Sequence, residues 1–196
     1  FSKVNPTAGP VYVKGAQPGD TLEVEFLDFR QLDWGWTAII PGFGLLADDF
    51  KEPAMKIFDL KDCRKAEFLH GIDLFLKPFP GTVGVALPEP GNFNVVPPRK
   101  NGGNMDVRHL TKGTKLYLPV WVEGALFSIG DTHAAQGDGE VCGTAIEASM
   151  EATVRFKLHK GKTIPEPRYE IPGPPTPEAD SQGYFVTTGH GEDLFV

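Results

Sequence analysis

Proline and glycine interrupt this chain too often for long helices. The 23 glycines and 18 prolines among 196 residues are nearly twice the ordinary share of roughly 12%. Inside a helix, proline removes a hydrogen bond and clashes, and glycine costs backbone entropy. What survives between the breaks is short, and much of it alternates. Thr21-Leu22-Glu23-Val24-Glu25-Phe26 and Glu151–His159 place apolar residues at every second position, the period of a strand with one wet face. Hydrophobic residues make up 40% of the chain, enough to bury a core and too many for disorder. The expected fold is mainly β: sandwich or barrel-like sheets with a few short helices and long Gly/Pro-rich loops.

Other segments follow the same reading. Trp34–Leu46, rich in aromatics and glycine, reads as a packed loop or irregular strand. Ala47–Phe50 suits the start of a short helix, and Lys56–Leu60 fits either a strand or a helical turn. Glu67–Leu69 and Ile72–Leu76 form a hairpin about Gly71. Pro78–Pro98 is loop-like around one apolar piece, Thr82–Leu87. Leu116–Val122 is the most strongly extended run, with Pro119 demoting its position to an edge or bulge. The prolines between Pro165 and Pro177 imply an extended surface run, and Tyr184–Gly189 returns to strand. We expect an N-terminal β-rich part over 1–100 and a second over 101–196, forming one compact unit.

The net charge of −7 and the lack of a basic stripe argue against nucleic-acid binding. No apolar run reaches the roughly 18–20 residues that span a bilayer. Cys63 and Cys142 are the two cysteines, too few for a disulfide scaffold, so free thiols and a cytoplasmic location are expected. The chain starts at Phe1 rather than methionine, as a processed product or an internal stretch would.

One segment concentrates chemistry: Gly130-Asp131-Thr132-His133-Ala134-Ala135-Gln136-Gly137-Asp138-Gly139-Glu140. Small residues let the backbone curl so that several polar groups point at one locus. Asp131 and His133, two apart, share a face if the segment is extended. Such a pair grips a divalent cation or forms an acid–base couple, while the same residues also suit a solvated turn. Asp138-Gly139-Glu140 resembles a piece of a calcium loop but lacks the twelve-residue pattern. A second polar cluster, Gly102–His109, carries Asn104, Asp106 and Arg108 and reads equally as a hairpin turn. Glu147, among small and apolar neighbours, needs a partner if buried. Cys142 reads as a small hydrophobe. Trp34 and Trp36 suit a core or hairpin as well as a pocket wall. His70, His159 and His190 lack a polar constellation and read as surface residues.

These residues resemble the acetamidase/formamidase family of amide hydrolases. The resemblance is carried by Asn5–Val13 with Gly15–Asp20, by Trp36–Leu46, by Gly102-Gly103-Asn104-Met105-Asp106, and by Gly130–Glu140 with Gly143–Glu147. It covers about residues 5–160 and is closer to the acetamidase branch. It implies a mainly β fold, hydrolysis of short carboxamides such as acetamide and formamide to carboxylate and ammonia, and a divalent metal, zinc first with calcium as the alternative. A related branch opens cyclic amides (γ-lactams). On this resemblance Asp131, His133 and Glu147 hold the metal. Glu140 acts as general base and then acid, with Asp138 orienting it. Asn104, Asp106 and Gln136 bind the substrate, and Trp36 walls a small apolar pocket. Family members are longer at both ends, so either the chain is incomplete or another chain, in a homo-oligomer or as the missing remainder, completes the site. Two rival readings are a metal-free amidase using Cys142 and a non-catalytic, calcium-stabilised β-sandwich binding module.

Overall fold

The computed structural model describes residues 4–171 and the strand Phe185–Thr187. Its strands, numbered in chain order, form two main antiparallel sheets and a hairpin. The larger sheet runs β4 (Ala54–Asp59), β3 (Trp34–Ile39), β11 (Ile146–Glu147), β10 (Phe127–Ala135), β7 (Phe79–Gly84) and β8 (Gly102–Asn104), with β1 (Thr7–Val11) also on β10. The smaller runs β12 (Met150–His159), β2 (Thr21–Gln31), β9 (Lys115–Pro119), β13 (Arg168–Glu170) and β14 (Phe185–Thr187). The hairpin is β5 (Lys65–Leu69) with β6 (Ile72–Phe75).

The main core lies between the two sheets. Leu22, Val24 and Phe26 of β2 and Leu116 and Leu118 of β9 meet Phe79 and Val83 of β7 and Phe127 of β10. The Phe127 and Phe156 rings pack edge-on at 4.9 Å. A second core of Phe58, Leu60, Ala66, Leu76, Ala134, Ile146 and Ala148 joins the larger sheet to the hairpin. The sheets do not close into a barrel, and strands from both halves of the chain interleave in each.

Several expectations change. Among the described residues there is no helix: Leu45–Asp49 is a succession of turns and Lys56–Leu60 lies largely in β4. The irregular reading of Trp34–Leu46 gives way to the regular strand β3, followed by turns. The stretch read as loop-like from Pro78 onward begins with β7, every residue of which is buried, and only residues 82–84 of the apolar piece belong to that strand. Pro80 is tolerated there, and the strand's proline, two glycines and threonine hid its core position. Pro119 ends β9, where its missing N–H breaks least of the ladder. The expected wet face of β2 is covered at Glu23, which is 7% exposed, because His159 Nε2 stands 2.6 Å from its carboxylate. His159 therefore does have a polar partner. The hairpin about Gly71 and the alternating surface strand β12 are as expected. Of Tyr184–Gly189, Phe185–Thr187 is strand; the remainder, like His190 and the prolines from Pro172 to Pro177, lies outside the described residues. No described helix is long and apolar enough to cross a membrane.

Candidate active site

The site forms where one strand changes partners. Along one edge, β10 pairs with β1 as far as Gly130 and with β11 from His133 onward. Asp131 and Thr132 fall between, and Asp131 adopts φ 51°. The sequence pointed to a glycine-rich loop, but Gly130–Ala135 lies within a central strand, and only the part after it is loop.

Register then sets a row across the sheet. Phe79, His133, Glu147 and Trp36 stand opposite one another on β7, β10, β11 and β3, and directly opposed residues project to the same side. Phe79 belongs to the main core, so the row runs along that core's margin. Two loops complete the cluster. Asp106 follows β8, its N–H on the Gly81 carbonyl, and Glu140 follows β10. Both hold positive φ, 48° and 42°. Asn5 does too, at 56°. Seven described non-glycine residues have such angles, and four of them converge here, the kind of clustering seen where strain serves function.

His133 is 1% exposed. Its Nδ1 lies 2.8 Å from Gln136 Oε1, and Gln136 Nε2 donates to the Asp106 carbonyl at 2.8 Å. The amide is thus oriented with its oxygen toward the ring, so Nδ1 carries the proton. Nε2 then points at Glu147 (3.4 Å), Asp131 (3.7 Å) and Glu140 (4.0 Å) without a hydrogen-bond partner, as is Asp106 Oδ1. Glu147 spends its other oxygen on the Ala145 N–H. Asp131 Oδ2 accepts from Asn5 Nδ2 at 2.8 Å and Thr82 Oγ1 at 3.2 Å. Glu147 and Asp131 are therefore each anchored by one oxygen and offer the other.

Negative charge is in excess here. Burial, then the surrounding carboxylates, raise Asp106 to about 6 and Glu140 to about 8. Burial would lower His133, but Asp131 and Glu147 outweigh it and raise it to about 11. Such a cluster calls for protons or a cation. Asp131, His133 and Glu147, and also Asp106, His133 and Glu140, bring ligand atoms within 4.8 Å of one another. Two ligands about 2.1 Å from a shared zinc stand roughly 3.4 Å apart at the tetrahedral angle. The spacing and the orphaned Nε2 fit a divalent metal.

The remaining sequence candidates divide. Trp36 lines the same cavity of about 860 Å³ as Asp106, Asp131, Glu140 and Glu147, far larger than the small pocket expected. Asn104 faces inward: its oxygen accepts from Asn5 and Thr82, and its amide donates to the Val96 carbonyl. Gln136 is engaged at both ends. Asp138 does not reach Glu140; its exposed carboxylate pairs with Arg108, which also separates it from Glu140 as a joint calcium ligand. Cys142 Sγ contacts the Thr144 hydroxyl and carbonyl, with no imidazole among these contacts. The sequence reading missed Asn5, Thr82 and Gly81 as site builders. Gly81 has no local signal, yet a Cβ there would stand 2.7 Å from both Asp106 Oδ1 and His133 Cε1.

Comparison with known proteins finds relatives along most of the chain. The family model described as the acetamidase/formamidase family matches residues 1–92 and 89–193. A formamidase of Methylophilus methylotrophus is 30% identical over 225 residues, covering 82% of this chain and 53% of its own. The crystal structure of an acetamidase from Bacillus halodurans superposes with a TM-score of 0.81 at 38% identity, covering 86% of this chain and 57% of that one. A γ-lactamase from Delftia acidovorans gives 0.78 at 28%, covering 89% and 56%. The chain spans between 53% and 62% of the length of the curated relatives it matches.

Proposed function

The chain belongs to the acetamidase/formamidase family, and from that premise we propose that the His133 cluster is the catalytic centre of an amide hydrolase. It converts short linear carboxamides and water to carboxylate and ammonia. The observation that carries this reading is the buried, partnerless Nε2 of His133 facing three carboxylates.

Asp131, His133 and Glu147 would hold a divalent metal, zinc rather than calcium because an imidazole nitrogen sits among the donors. When bound, it would lower the pKa of a water to about 7 and polarise the amide carbonyl. The chain's own groups do the rest. Gln136 holds the His133 tautomer, while Asn5, Thr82 and Asn104 hold Asp131. Glu140 takes the proton from water as it attacks the carbonyl carbon, then returns it to the nitrogen that leaves as ammonia. Asp106, also desolvated but raised only to about 6, lies beside it as a carboxylate and accepts a hydrogen bond from the substrate amide N–H. Arg108 and Asp138 tie the turn carrying Glu140 to the segment after Asp106. That exposed pair adds little stability, so its task is placement. Trp36 walls the cavity.

Opening of a cyclic amide is the second reading, favoured by the likeness to a γ-lactamase. The exposed thiol of Cys63 and the half-buried one of Cys142 are free, which suits a reducing cytoplasm. A homo-oligomer, or the remaining length of the family's chain, would complete the assembly.

The test is metal analysis and ammonia release from acetamide, formamide and a γ-lactam, before and after chelation. Chelation should abolish turnover and zinc should restore it. Glu140→Gln should lower kcat about 100-fold or more with metal content unchanged. Full activity in a verified metal-free sample removes the metal, and full activity of the variant removes Glu140.

A further inference from the structure

The cavity over the carboxylates is too large for the smallest amides. Its volume of about 860 Å³ lies toward the upper end of the roughly 300–1,000 Å³ that accepts drug-sized ligands. Acetamide offers one methyl group to fill it.

Its shape is set by the strands. Trp36 stands directly opposite Glu147, and Trp34, two residues earlier on β3, projects to the same side. Leu32, Ile40, Phe43 and Val96 line the same cavity. Trp34 is 55% exposed, although nothing in the packing of β3 requires an indole there. The apolar shelf is thus continuous with the acidic cluster through one cross-strand pair. Four carboxylates at its inner end disfavour an anionic ligand and leave a neutral one acceptable.

A second observation concerns the mouth. Part of it is formed by the connection between β7 and β8. The connection reaches the cavity at Val96, whose carbonyl receives the Asn104 amide.

We propose that this site takes carboxamides with a bulky, neutral, aromatic acyl group, seated on the Trp34–Trp36 shelf with the amide at the His133 cluster. The proposal rests on the amide-hydrolase reading above and narrows its substrate class. Offset stacking on an indole is the interaction that formyl and acetyl groups cannot make.

The experiment measures ammonia release by the full-length, zinc-loaded protein from formamide, acetamide, benzamide and phenylacetamide. Phenylacetamide should exceed acetamide in kcat/KM by about tenfold or more. Trp34→Ala, at an exposed position where truncation leaves no cavity, should reduce that preference about fivefold, with the thermal melt confirming its fold. A higher kcat/KM for acetamide or formamide than for both aryl amides overturns the inference and leaves the hydrolase standing. An unchanged preference in the variant overturns the Trp34 seat. No ammonia from any of the four, with zinc bound, overturns the hydrolase reading and this inference with it.

Discussion

Replacing Gly81 by alanine tests whether the cluster is built on the absence of a side chain. Gly81 lies opposite Asp131, between Pro80 and Thr82, which pair with Thr132 and Gly130, and its φ is not in the left-handed region. Alanine therefore carries no backbone penalty. By limiting the unfolded chain it would, in open space, stabilise by about 0.4–1 kcal/mol. Space is what it lacks. The new Cβ would lie 2.7 Å from Asp106 Oδ1, 2.7 Å from His133 Cε1 and 2.8 Å from the Asp131 carbonyl, each roughly 0.7 Å or more inside ordinary contact. Asp131 O is strand backbone and the His133 ring is fully packed, so the strain cannot be shed through a flexible side chain. Overpacking of this kind costs about 1–3 kcal/mol, or roughly 3–10 °C in Tm at this size. A displacement approaching an ångström at the reacting groups would lower kcat about 100-fold. Thermal unfolding, zinc content and ammonia release measure the three effects. Gly137→Ala is the control, since nothing lies within 4 Å of a Cβ there and it should be neutral or slightly stabilising. If Gly81→Ala matches that control in Tm and keeps full activity, the packing argument for the site fails.

Other outcomes follow from individual groups. Gln136→Leu leaves the buried His133 Nδ1–H unpaired, at about 1–3 kcal/mol, and should weaken zinc binding about 10–100-fold, read by competition with a chromophoric chelator. Zinc should raise Tm, and by more at pH 8 than at pH 6. Protons on His133, raised to about 11, and on Glu140, raised to about 8, compete with the cation; an equal rise at both pH values would count against the cluster as the binding site. Asp20 is held at about 2 by Lys160 and by the N–H groups of Gly161 and Gln17. A lowered pKa stabilises above the unfolded value near 4 and loses that contribution as pH falls toward 2. Asp20→Asn should thus destabilise at pH 7, with the difference from wild type shrinking below about pH 4 in urea melts.

Much of the fold was legible because local chemistry dictates it. Alternation over Thr21–Phe26 and Glu151–His159 marks strands wherever they sit, and a glycine between short apolar runs marks the β5–β6 hairpin. The regions that misled share one cause. Residues 79–84 contain proline, glycine and threonine, and only burial between β10 and β8 shows them to be a central strand. Glu23 looked solvent-facing because its cover, His159, lies 136 residues away.

The site divides along the same line. Residue chemistry alone singled out the segment holding Asp131, His133 and Glu140, although the same residues also suit a solvated turn. It also marked Glu147 as a carboxylate needing a partner. Their convergence was a matter of tertiary structure. Register set Glu147 opposite His133, the change of partner along β10 turned Asp131 inward, and Gly81 left room for Asp106. Gln136 and Asn104 were found in the sequence; Gln136 is engaged by His133 and the Asp106 carbonyl, Asn104 lines the cavity while bonding Asn5, Thr82 and the Val96 carbonyl, and Asp138 faces Arg108. A sequence states which groups can bond. Which bonds form depends on the distances between strands far apart in the chain, and those are set only when the sheets pair.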